Sequence, residues 1–433
     1  MFVTDRPDSP TAREVLWRFG PMVYAPTVLF AVGEGAVLPL IPILSARLGA
    51  DVALSALIAS LLVIGQLLGN IPAGWAVARF GERATMIAAG LLALVSTAIG
   101  AFAPVLALFA LAVFILGFCA AAFGLARHSF MTTRVPIVFR ARALSLLGGT
   151  FRFGMFTGPF IAAALIGLSG DERSTIWFLA VCLVALLVLV TFGPDPEKQF
   201  ASPAPPTRPV DLVADAGEPV PGAIAAPLPP PRRVGVFRTM WQHRTVLSRV
   251  GLAAACLSAV RSARQVVLPL WGVSIGLDAQ TIALVVGVSG AVDFALFYAS
   301  GQVMDRFGRL WAALPAMVLM GSGFLALSVT HDVMNAEMWF ALFAAVLGVG
   351  NGLSSGILLT IGADLAPRDD PAPFLGSWRT LTDAGGATTP LIVSGLTAVA
   401  SLSVAAGAVG VVGLLGAVAF IRWLPRFVPH SRP

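Results

Sequence analysis

Long apolar runs separated by short polar loops repeat along the 433-residue chain. A membrane-spanning helix needs about 20 predominantly apolar residues, and twelve runs of this kind occur. Their predicted bounds are 22–45, 52–77, 84–103, 105–128, 142–169, 175–193, 246–273, 279–303, 311–330, 337–363, 374–398 and 402–424. The pattern therefore predicts an all-α membrane protein with twelve transmembrane helices.

Composition agrees with a membrane protein. The chain is 57% hydrophobic and 12% charged, whereas a soluble domain has about 25% charged residues. Its net charge is +6, but the basic residues lie in loops between apolar runs. That placement indicates orientation in a lipid bilayer and argues against nucleic-acid binding.

The basic residues lie mainly in alternate loops, which indicates the topology. The N-terminus, the C-terminus and the loops after helices two, four, six, eight and ten carry Arg6, Arg13, Arg18, Arg79, Arg83, Arg134, Arg140, Arg142, Lys198, Arg232, Arg233, Arg306, Arg309, Arg368, Arg422 and Arg426. The opposite loops carry Arg47 and Arg173 among several acids. The positive-inside rule then predicts a multi-pass protein of the inner cell membrane, with both termini in the cytoplasm.

A polar, Pro- and Ala-rich stretch divides the apolar runs into two sets of six. Residues 194–231 cannot bury a core, which predicts a cytoplasmic linker without fixed structure. Residues 234–249 then form either an interfacial helix or a basic end of the linker. The predicted division is a tail at 1–21, a bundle at 22–193, a linker at 194–245, a bundle at 246–424 and a tail at 425–433.

The two halves repeat one another. Leu38-Pro39-Leu40 in helix one matches Leu268-Pro269-Leu270 in helix seven. Gly117 matches Gly348, and Pro159 matches Pro390, at a nearly constant offset. The matches predict a parallel six-plus-six repeat.

A charged loop is also repeated between apolar runs. Gly301-Gln302-Val303-Met304-Asp305-Arg306-Phe307-Gly308-Arg309 follows helix eight, and a weaker copy from Gly74 to Arg83 follows helix two, with Ala78 in place of Asp305. Together with the twelve helices, the motif G-x-x-x-D-R-x-G-R resembles the major facilitator superfamily. This resemblance implies two pseudo-symmetric six-helix bundles, alternating access, and a central cavity lined by helices one, four, seven and ten.

Two further motifs resemble the twelve-helix drug:proton antiporter branch of that family. Helix one has Gly33 followed by Pro39 and Pro42, and helix five has Gly154-x-x-x-Gly158-Pro159. The chain departs from the branch at Ala162-Ala163, where the motif normally has two glycines. It also lacks the Arg that the branch carries in the first part of helix four and ties to proton coupling.

Charged residues inside the apolar runs are the candidate functional residues, because a charge in the bilayer usually faces a cavity or a partner. The repeat aligns Glu34 with Arg264, and the resemblance places both at the cavity. Glu34 could bind a cation or carry a proton, or form a static ion pair with Arg264. Asn351 of helix ten is assigned to the same cavity.

Arg261 and Arg264 are one helical turn apart and share a face. Two guanidinium groups in a cavity suit a carboxylate or phosphate on a substrate. Alternatively, one could neutralise Glu34 and the other Asp293. Both interpretations stay open, and with them the charge of the substrate.

The resemblance places helix five beside helix eight and helix two beside helix eleven. It therefore implies an interdomain pair between Arg152 and Asp293, with Gln66 near Asp383 at the other seam. Arg379 and Asp383 could also pair locally, as residues i and i+4. Asp293 is the second candidate for proton coupling.

The repeated loop is predicted to act as a conformational latch. The resemblance places it against a helix of the other half, so that Asp305 would cap the N-terminus of helix five. The arginines of the loop are alternatively positive-inside anchors. The predicted latch comprises Gly74, Arg79, Gly81, Gly301, Asp305, Arg306, Gly308 and Arg309.

Other motifs point away from an enzyme. The sequence has no phosphate-binding G-x-x-x-x-G-K-[ST] motif, no nucleophile elbow, no zinc-ligand spacing and no disulfide pattern. No cofactor or metal is expected. We predict a monomeric secondary transporter that exports a small, largely apolar compound, with protons as the coupling ion. The alternatives are a transporter of an organic anion held by Arg261 and Arg264, and a non-transporting membrane sensor on the same scaffold.

Overall fold

The computed structural model describes residues 23–134, 137–193, 241–367 and 371–428, and these residues form helices and the turns between them. Each predicted span contains one helix, with ends that differ by a few residues. The helices are α1 (Ala25–Arg47), α2 (Val52–Phe80), α3 (Glu82–Phe102), α4 (Leu106–Arg134), α5 (Ile137–Ser169), α6 (Arg173–Phe192), α7 (Leu252–Ser274), α8 (Ala279–Phe307), α9 (Arg309–Ser328), α10 (Ala336–Leu365), α11 (Pro371–Val399) and α12 (Leu402–Phe427).

Within the described part of the chain, 11 helices are long and apolar enough to cross a membrane. Helix α11 is 29 residues long but does not reach the same apolarity, because it carries Arg379, Asp383 and several Thr and Gly residues. It packs against α2 and α7. The side chains of Arg379 and Asp383 nevertheless stay substantially exposed.

The two halves repeat the same helix pairings. In the first half α1 packs on α5 and α6, α2 on α4, and α3 on α4 and α6. In the second half the equivalent pairs α7–α11, α7–α12, α8–α10, α9–α10 and α9–α12 are in contact. Each half has its own hydrophobic core, which contains Phe123 in the first half and Trp271 in the second. The structure is therefore two six-helix bundles of the same design.

Two helices that line the centre of the molecule are interrupted. Helix α1 contains a 3-10 turn at Leu38–Leu40, which includes Pro39. Helix α10 breaks between Leu353 and Ile357, where Gly356 has φ +75°. A residue with a side chain adopts that conformation at a steric penalty. These breaks follow Pro and Gly positions in the sequence.

Contacts between the halves gather at the ends that the charge pattern predicts to be external. The second part of α1, Ile41–Arg47, packs on α7. Ser394 Oγ of α11 donates a hydrogen bond to the Ala53 carbonyl of α2 over 2.9 Å. The Gln280 side chain of α8 lies against Gly167 of α5. These contacts bring the two halves together on the predicted outer side.

Close backbone approach holds α2 against α4. A Cβ atom added to Gly117 would lie 2.0 Å from the Leu62 carbonyl oxygen, and one added to Gly65 would lie 2.2 Å from the Phe114 carbonyl oxygen. Small residues of this kind let membrane helices pack closely.

Replacement of Gly117 by Ala should therefore destabilise the first bundle by about 1–3 kcal/mol, the usual range for overpacking. The measurement is the thermal unfolding midpoint of the purified protein in detergent. Gly395→Ala is the matched control, because a Cβ atom at Gly395 meets nothing within 4 Å. Equal midpoints for the two variants would show that α2 and α4 can separate without loss of stability.

The predicted tails and most of the predicted linker lie outside the described residues. The predicted helix at 234–249 is described only from residue 241 onward. There, Arg244–Val246 forms one helical turn, and a π turn at Leu247–Gly251 leads into α7.

Candidate substrate cavity

A cavity of about 640 Å³ lies between the two bundles. Helices α1, α2, α4 and α5 of the first half and α7, α8, α10 and α11 of the second contribute to its wall. Its charged or titratable lining residues are Glu34, Arg127, His128, Arg152, Arg261, Arg264, Asp293, Arg379 and Asp383. Arginines outnumber carboxylates in this wall by five to three.

Asp293 of α8 is the centre of the polar network in the cavity. Its Oδ1 atom lies 3.1 Å from Arg152 Nη1 and its Oδ2 atom 3.4 Å from Arg264 Nη2. Asn351 Nδ2 donates to the same Oδ2 atom over 2.6 Å. Because Arg152 belongs to α5, the Arg152–Asp293 pair joins the two bundles across the α5–α8 seam.

The neighbouring arginines of α7 differ in their partners. Arg264 Nη1 donates to Ser289 Oγ over 2.8 Å, in addition to its contact with Asp293. Arg261 Nε donates to Asn351 Oδ1 over 3.0 Å, and within the described residues no carboxylate pairs with it. Arg261 is therefore a cationic group of the cavity that is hydrogen-bonded but not neutralised by a direct ion pair.

Glu34 does not pair with Arg264, so the static ion pair that the sequence left as an alternative is not formed in this structure. The Glu34 side chain is buried, with 3% of the residue exposed, and accepts one hydrogen bond from Gln66 Nε2 over 3.4 Å. Arg264 is instead drawn to Asp293, which lies on the adjacent helix of its own bundle. Arg127 of α4 lines the same cavity as Glu34.

Arg127 is buried, with 8% of the residue exposed. Its Cζ atom lies 4.9 Å from the centre of the Phe151 ring and 5.6 Å from that of Phe123. Its Nε and Nη1 atoms have no acceptor within the part of the chain that the structure describes. A buried guanidinium with unused donors is costly.

The hydropathy pattern places Arg127 at the end of the predicted span 105–128 and gives no sign of this environment. The apolar run stops at residue 128, but helix α4 continues to Arg134. Arg127 is therefore about two turns from the end of α4. Ser289 was also missed, because a lone Ser in an apolar helix carries no signal in the sequence.

The repeat relates the two polar pairs of the cavity. Glu34 and Gln66 in the first half occupy the positions of Arg264 and Asp293 in the second. The structure joins Gln66 to Glu34 and Arg264 to Asp293, each over 3.4 Å. The same contact between neighbouring helices is therefore made twice, with different charges.

The predicted proximity of Gln66 and Asp383 does not produce a pair across the α2–α11 seam. Both residues line the cavity, but Gln66 bonds to Glu34. Asp383 Oδ2 lies 3.5 Å from Arg379 Nε, one turn away on α11, and both side chains are substantially exposed. Local pairing was the alternative that the sequence left open.

Aromatic side chains form an apolar part of the cavity wall. Phe156 of α5 and Phe294 of α8 contact each other across the seam with ring centres 4.9 Å apart. Phe30 and Phe151 also line the cavity. The cavity thus combines guanidinium groups with aromatic surface.

The repeated loops share one backbone feature. Gly81 and Gly308 have φ +84° and +91°, so each motif ends one helix and begins the next through a conformation that favours glycine. Gly74 and Gly301 lie inside α2 and α8. The Asp305 side chain and the side chains at the start of α5 lie outside the described residues, so the latch stays a prediction.

The arginines of these loops have different surroundings. Arg79 and Arg306 are exposed. Arg309 Nε donates to Asp364 Oδ2 at the end of α10 over 2.8 Å. Arg83 donates to the Val190 and Thr191 carbonyl groups at the end of α6, where a cation is favourable.

In the described ranges, no group of three or more His, Cys, Asp and Glu side chains could hold a metal ion. The three cysteines of the chain are free.

Three solved structures with a similar fold are POT family transporters. An auto-inhibited POT family peptide transporter has 15% sequence identity, a TM-score of 0.71, and coverage of 96% of this chain and 99% of that chain. A POT family transporter in complex with a thioalcohol-conjugated peptide has 10% identity, a TM-score of 0.73, and coverage of 95% and 96%. A mutant POT peptide transporter in complex with sulfate has 14% identity, a TM-score of 0.67, and coverage of 98% and 100%.

No curated protein matches the sequence. The family model for the Major Facilitator Superfamily matches residues 25–387, and a second match to the same model covers residues 250–433. The match is to the superfamily as a whole, so the drug:proton antiporter branch stays a prediction. The fold, the repeated bundles and this match together establish that the chain belongs to the Major Facilitator Superfamily of membrane transporters.

Proposed function

We propose that the protein transports a small organic anion with an apolar or aromatic body, by alternating access of the central cavity. The observation that carries this proposal is the excess of arginine over carboxylate in the cavity wall. It favours the organic-anion alternative over the export of a largely apolar compound that the sequence motifs suggested.

The charges of the cavity do not cancel. Asp293 neutralises one of Arg152 and Arg264, and Asp383 pairs with Arg379. Glu34 balances Arg127 when it is ionised. Arg261 and one further guanidinium then remain, and a charge in a low-dielectric site needs a counter-ion. An anionic substrate supplies that charge.

The remainder of the substrate is inferred from the apolar wall. Phe30, Phe151, Phe156 and Phe294 offer ring faces and edges to the cavity, which suits an aromatic or branched aliphatic group. A volume of about 640 Å³ is typical of sites for small organic ligands. Small peptides, the cargo of the structurally similar transporters, also carry a terminal carboxylate.

The test uses matched acids and amides. Benzoate, phenylacetate and dialanine are each compared with the corresponding amide for their effect on the thermal unfolding midpoint of the purified protein. Compounds that stabilise it are then tested for counterflow in liposomes. We expect carboxylates to bind and the amides to bind at least tenfold more weakly, about 1.4 kcal/mol for the lost charge-assisted hydrogen bonds. Binding of the amides alone would restore the apolar-compound hypothesis.

Glu34 supports proton coupling as a second element of the proposal. Its carboxylate is buried, accepts one bond from an amide, and within the described residues forms no salt bridge. A carboxylate held this way in a wet cavity can change protonation as the cavity opens to each side. Exchange of protons for substrate would then pass through this residue.

Replacement of Glu34 by Gln should abolish substrate movement driven by a pH gradient, while substrate exchange without a gradient continues. The neutral amide keeps the shape of the carboxylate but carries no proton. Transport is measured in liposomes with and without an imposed gradient. Gln66→Ala is the control, because it removes the neighbour and keeps the carboxylate. Gradient-driven transport by Glu34→Gln at the wild-type rate would exclude Glu34 as the coupling group.

The repeated loop offers a test of alternating access. Asp305 is predicted to stabilise the outward-open state by capping α5. Asp305→Asn should therefore shift the population toward the inward-facing state.

This shift is measured with Ser262→Cys, introduced into a variant that lacks the three native cysteines. Ser262 lines the cavity. The measurement is the labelling of the introduced cysteine by an impermeant reagent from each side of the membrane. Ala78→Ser, at the matching position of the first loop, is the control and should change nothing. Unchanged labelling in Asp305→Asn would reduce the loop to a topological anchor.

A further inference from the structure

A cluster of three arginines surrounds one tryptophan at the inner end of the second bundle. The Cζ atoms of Arg249, Arg422 and Arg426 lie 4.3, 4.9 and 5.1 Å from the centre of the Trp423 ring. Arg249 lies in the turn that leads into α7, and the others lie in the last turns of α12. We call these four residues the basic cluster, and it joins two helices that pack on each other.

The basic cluster concentrates positive charge. Since each guanidinium carbon lies within 5.1 Å of one ring centre, no two of them can be more than about 10 Å apart. The Debye length at physiological salt is about 8 Å, so their mutual repulsion is not fully screened. Within the described ranges no carboxylate pairs with any of the three, and cation–π contacts offset only part of this repulsion. The arrangement is suited to a bound anion.

The location of the cluster indicates the membrane interface. Helix α12 has 26 residues, which is about 39 Å of helix at 1.5 Å per residue. The hydrocarbon core of a bilayer is about 30 Å thick. The last turns of α12 therefore reach the headgroup layer, where Trp side chains are common.

Apolar side chains continue from the cluster toward the centre of the membrane. Leu252 of α7 and Val418 and Ile421 of α12 are exposed, as expected for surfaces in contact with acyl chains. The site therefore combines a polar end with an apolar track. A free phosphate ion would use only the polar end.

We propose that the basic cluster binds the phosphate group of an anionic phospholipid, such as phosphatidylglycerol, with its acyl chains against α7 and α12. Guanidinium groups bind phosphate through paired N–H donors. Basic pockets between transmembrane helices on the cytoplasmic side bind anionic headgroups in this way.

The cluster is a property of the second half and not of the repeat. At the repeat-related positions of Arg422, Trp423 and Arg426, the first half has Thr191, Phe192 and Asp195. Those residues offer no cation to a phosphate group. The proposal is also independent of the anion cavity, because none of its residues lines that cavity.

Native mass spectrometry of the purified full-length protein in detergent tests the proposal, with phosphatidylglycerol and phosphatidylcholine as the added lipids. Wild-type protein should retain phosphatidylglycerol in preference to phosphatidylcholine. Arg422→Gln/Arg426→Gln should weaken phosphatidylglycerol binding by about fivefold for each guanidinium removed. Arg422→Lys/Arg426→Lys keeps the charge and should lose less.

The control is Arg79→Gln/Arg306→Gln, which removes two exposed charges elsewhere on the same predicted side and should retain wild-type lipid binding. Soluble glycerol 3-phosphate and inorganic phosphate, each at millimolar concentration, should not displace the lipid. The proposal is overturned if these anions bind as well as the lipid does. It also fails if the control loses as much binding, or if the double Gln variant loses none.

Discussion

Replacement of Arg261 by Gln is expected to weaken binding of the anionic substrate by about 10- to 100-fold, with little loss of stability. A charge-assisted hydrogen bond contributes about 1.5–3 kcal/mol, and Arg261 forms no ion pair within the described residues. Its removal therefore leaves no acid without a partner. Asn351, which accepts from Arg261 Nε, keeps its bond to Asp293. The measurement is the dissociation constant of the tightest-binding carboxylate from the acid and amide panel.

Arg379→Gln is the matched control for this prediction. Arg379 lines the same cavity, but its side chain is 70% exposed and lies beside Asp383. Arg379→Gln changes the charge of the cavity by the same amount as Arg261→Gln does. It removes no group from the Arg261–Asn351–Asp293 network. A loss of the same size in both variants would mean that the field of the cavity, and not contact with Arg261, holds the anion. Wild-type affinity in Arg261→Gln would exclude Arg261 from the site.

Replacement of Asp293 by Asn is expected to destabilise the protein by on the order of 3 kcal/mol, the effect of breaking a buried ion pair from one side. The change leaves Arg152 and Arg264 without their shared carboxylate. Asp293 and Arg264 are each 13% exposed at the side chain, and Arg152 is 22% exposed, so water compensates little of the loss. The measurement is the thermal unfolding midpoint in detergent.

A double-mutant cycle measures the coupling energy between Arg152 and Asp293 across the α5–α8 seam. Arg152→Gln in the Asp293→Asn background should recover part of the lost stability, because it removes one of the unneutralised charges. Asp383→Asn is the control: its pair with Arg379 is local and exposed, so its effect should stay below about 1 kcal/mol. Strictly additive effects of the Arg152 and Asp293 changes would show that the seam does not depend on their pairing.

Some contacts of the cavity could be predicted from the sequence and the family resemblance, and others could not. The alignment of the halves and the family resemblance together indicated Arg152 and Asp293 as neighbours, because helix pairing in this fold is known once the repeat is found. The static pair between Glu34 and Arg264, one of the alternatives that the sequence left open, does not form. Repeat symmetry relates Glu34 to Arg264, but symmetry-related positions lie in different bundles, and each residue finds a partner on the adjacent helix of its own bundle.

The sequence by itself determined the spans, the repeat and the membrane class. These depend on local properties: the length of apolar runs, the positions of Gly and Pro, and a loop motif written twice. Each can be detected along the chain without knowledge of what lies opposite in space. The burial of Arg127 could not be predicted in this way, since α4 extends beyond its apolar run.

Only the tertiary structure decided which charges neutralise one another and which remain for a ligand. Asp293 accepts hydrogen bonds from Arg152, Arg264 and Asn351 at once, because helices α5, α7, α8 and α10 meet at this point. Arg261 is left without an acid by the same convergence. The balance of charge in a cavity depends on distances between helices that are far apart in the chain. This is why the sequence left the charge of the substrate open, and why our proposal of an anion rests on the contacts between helices.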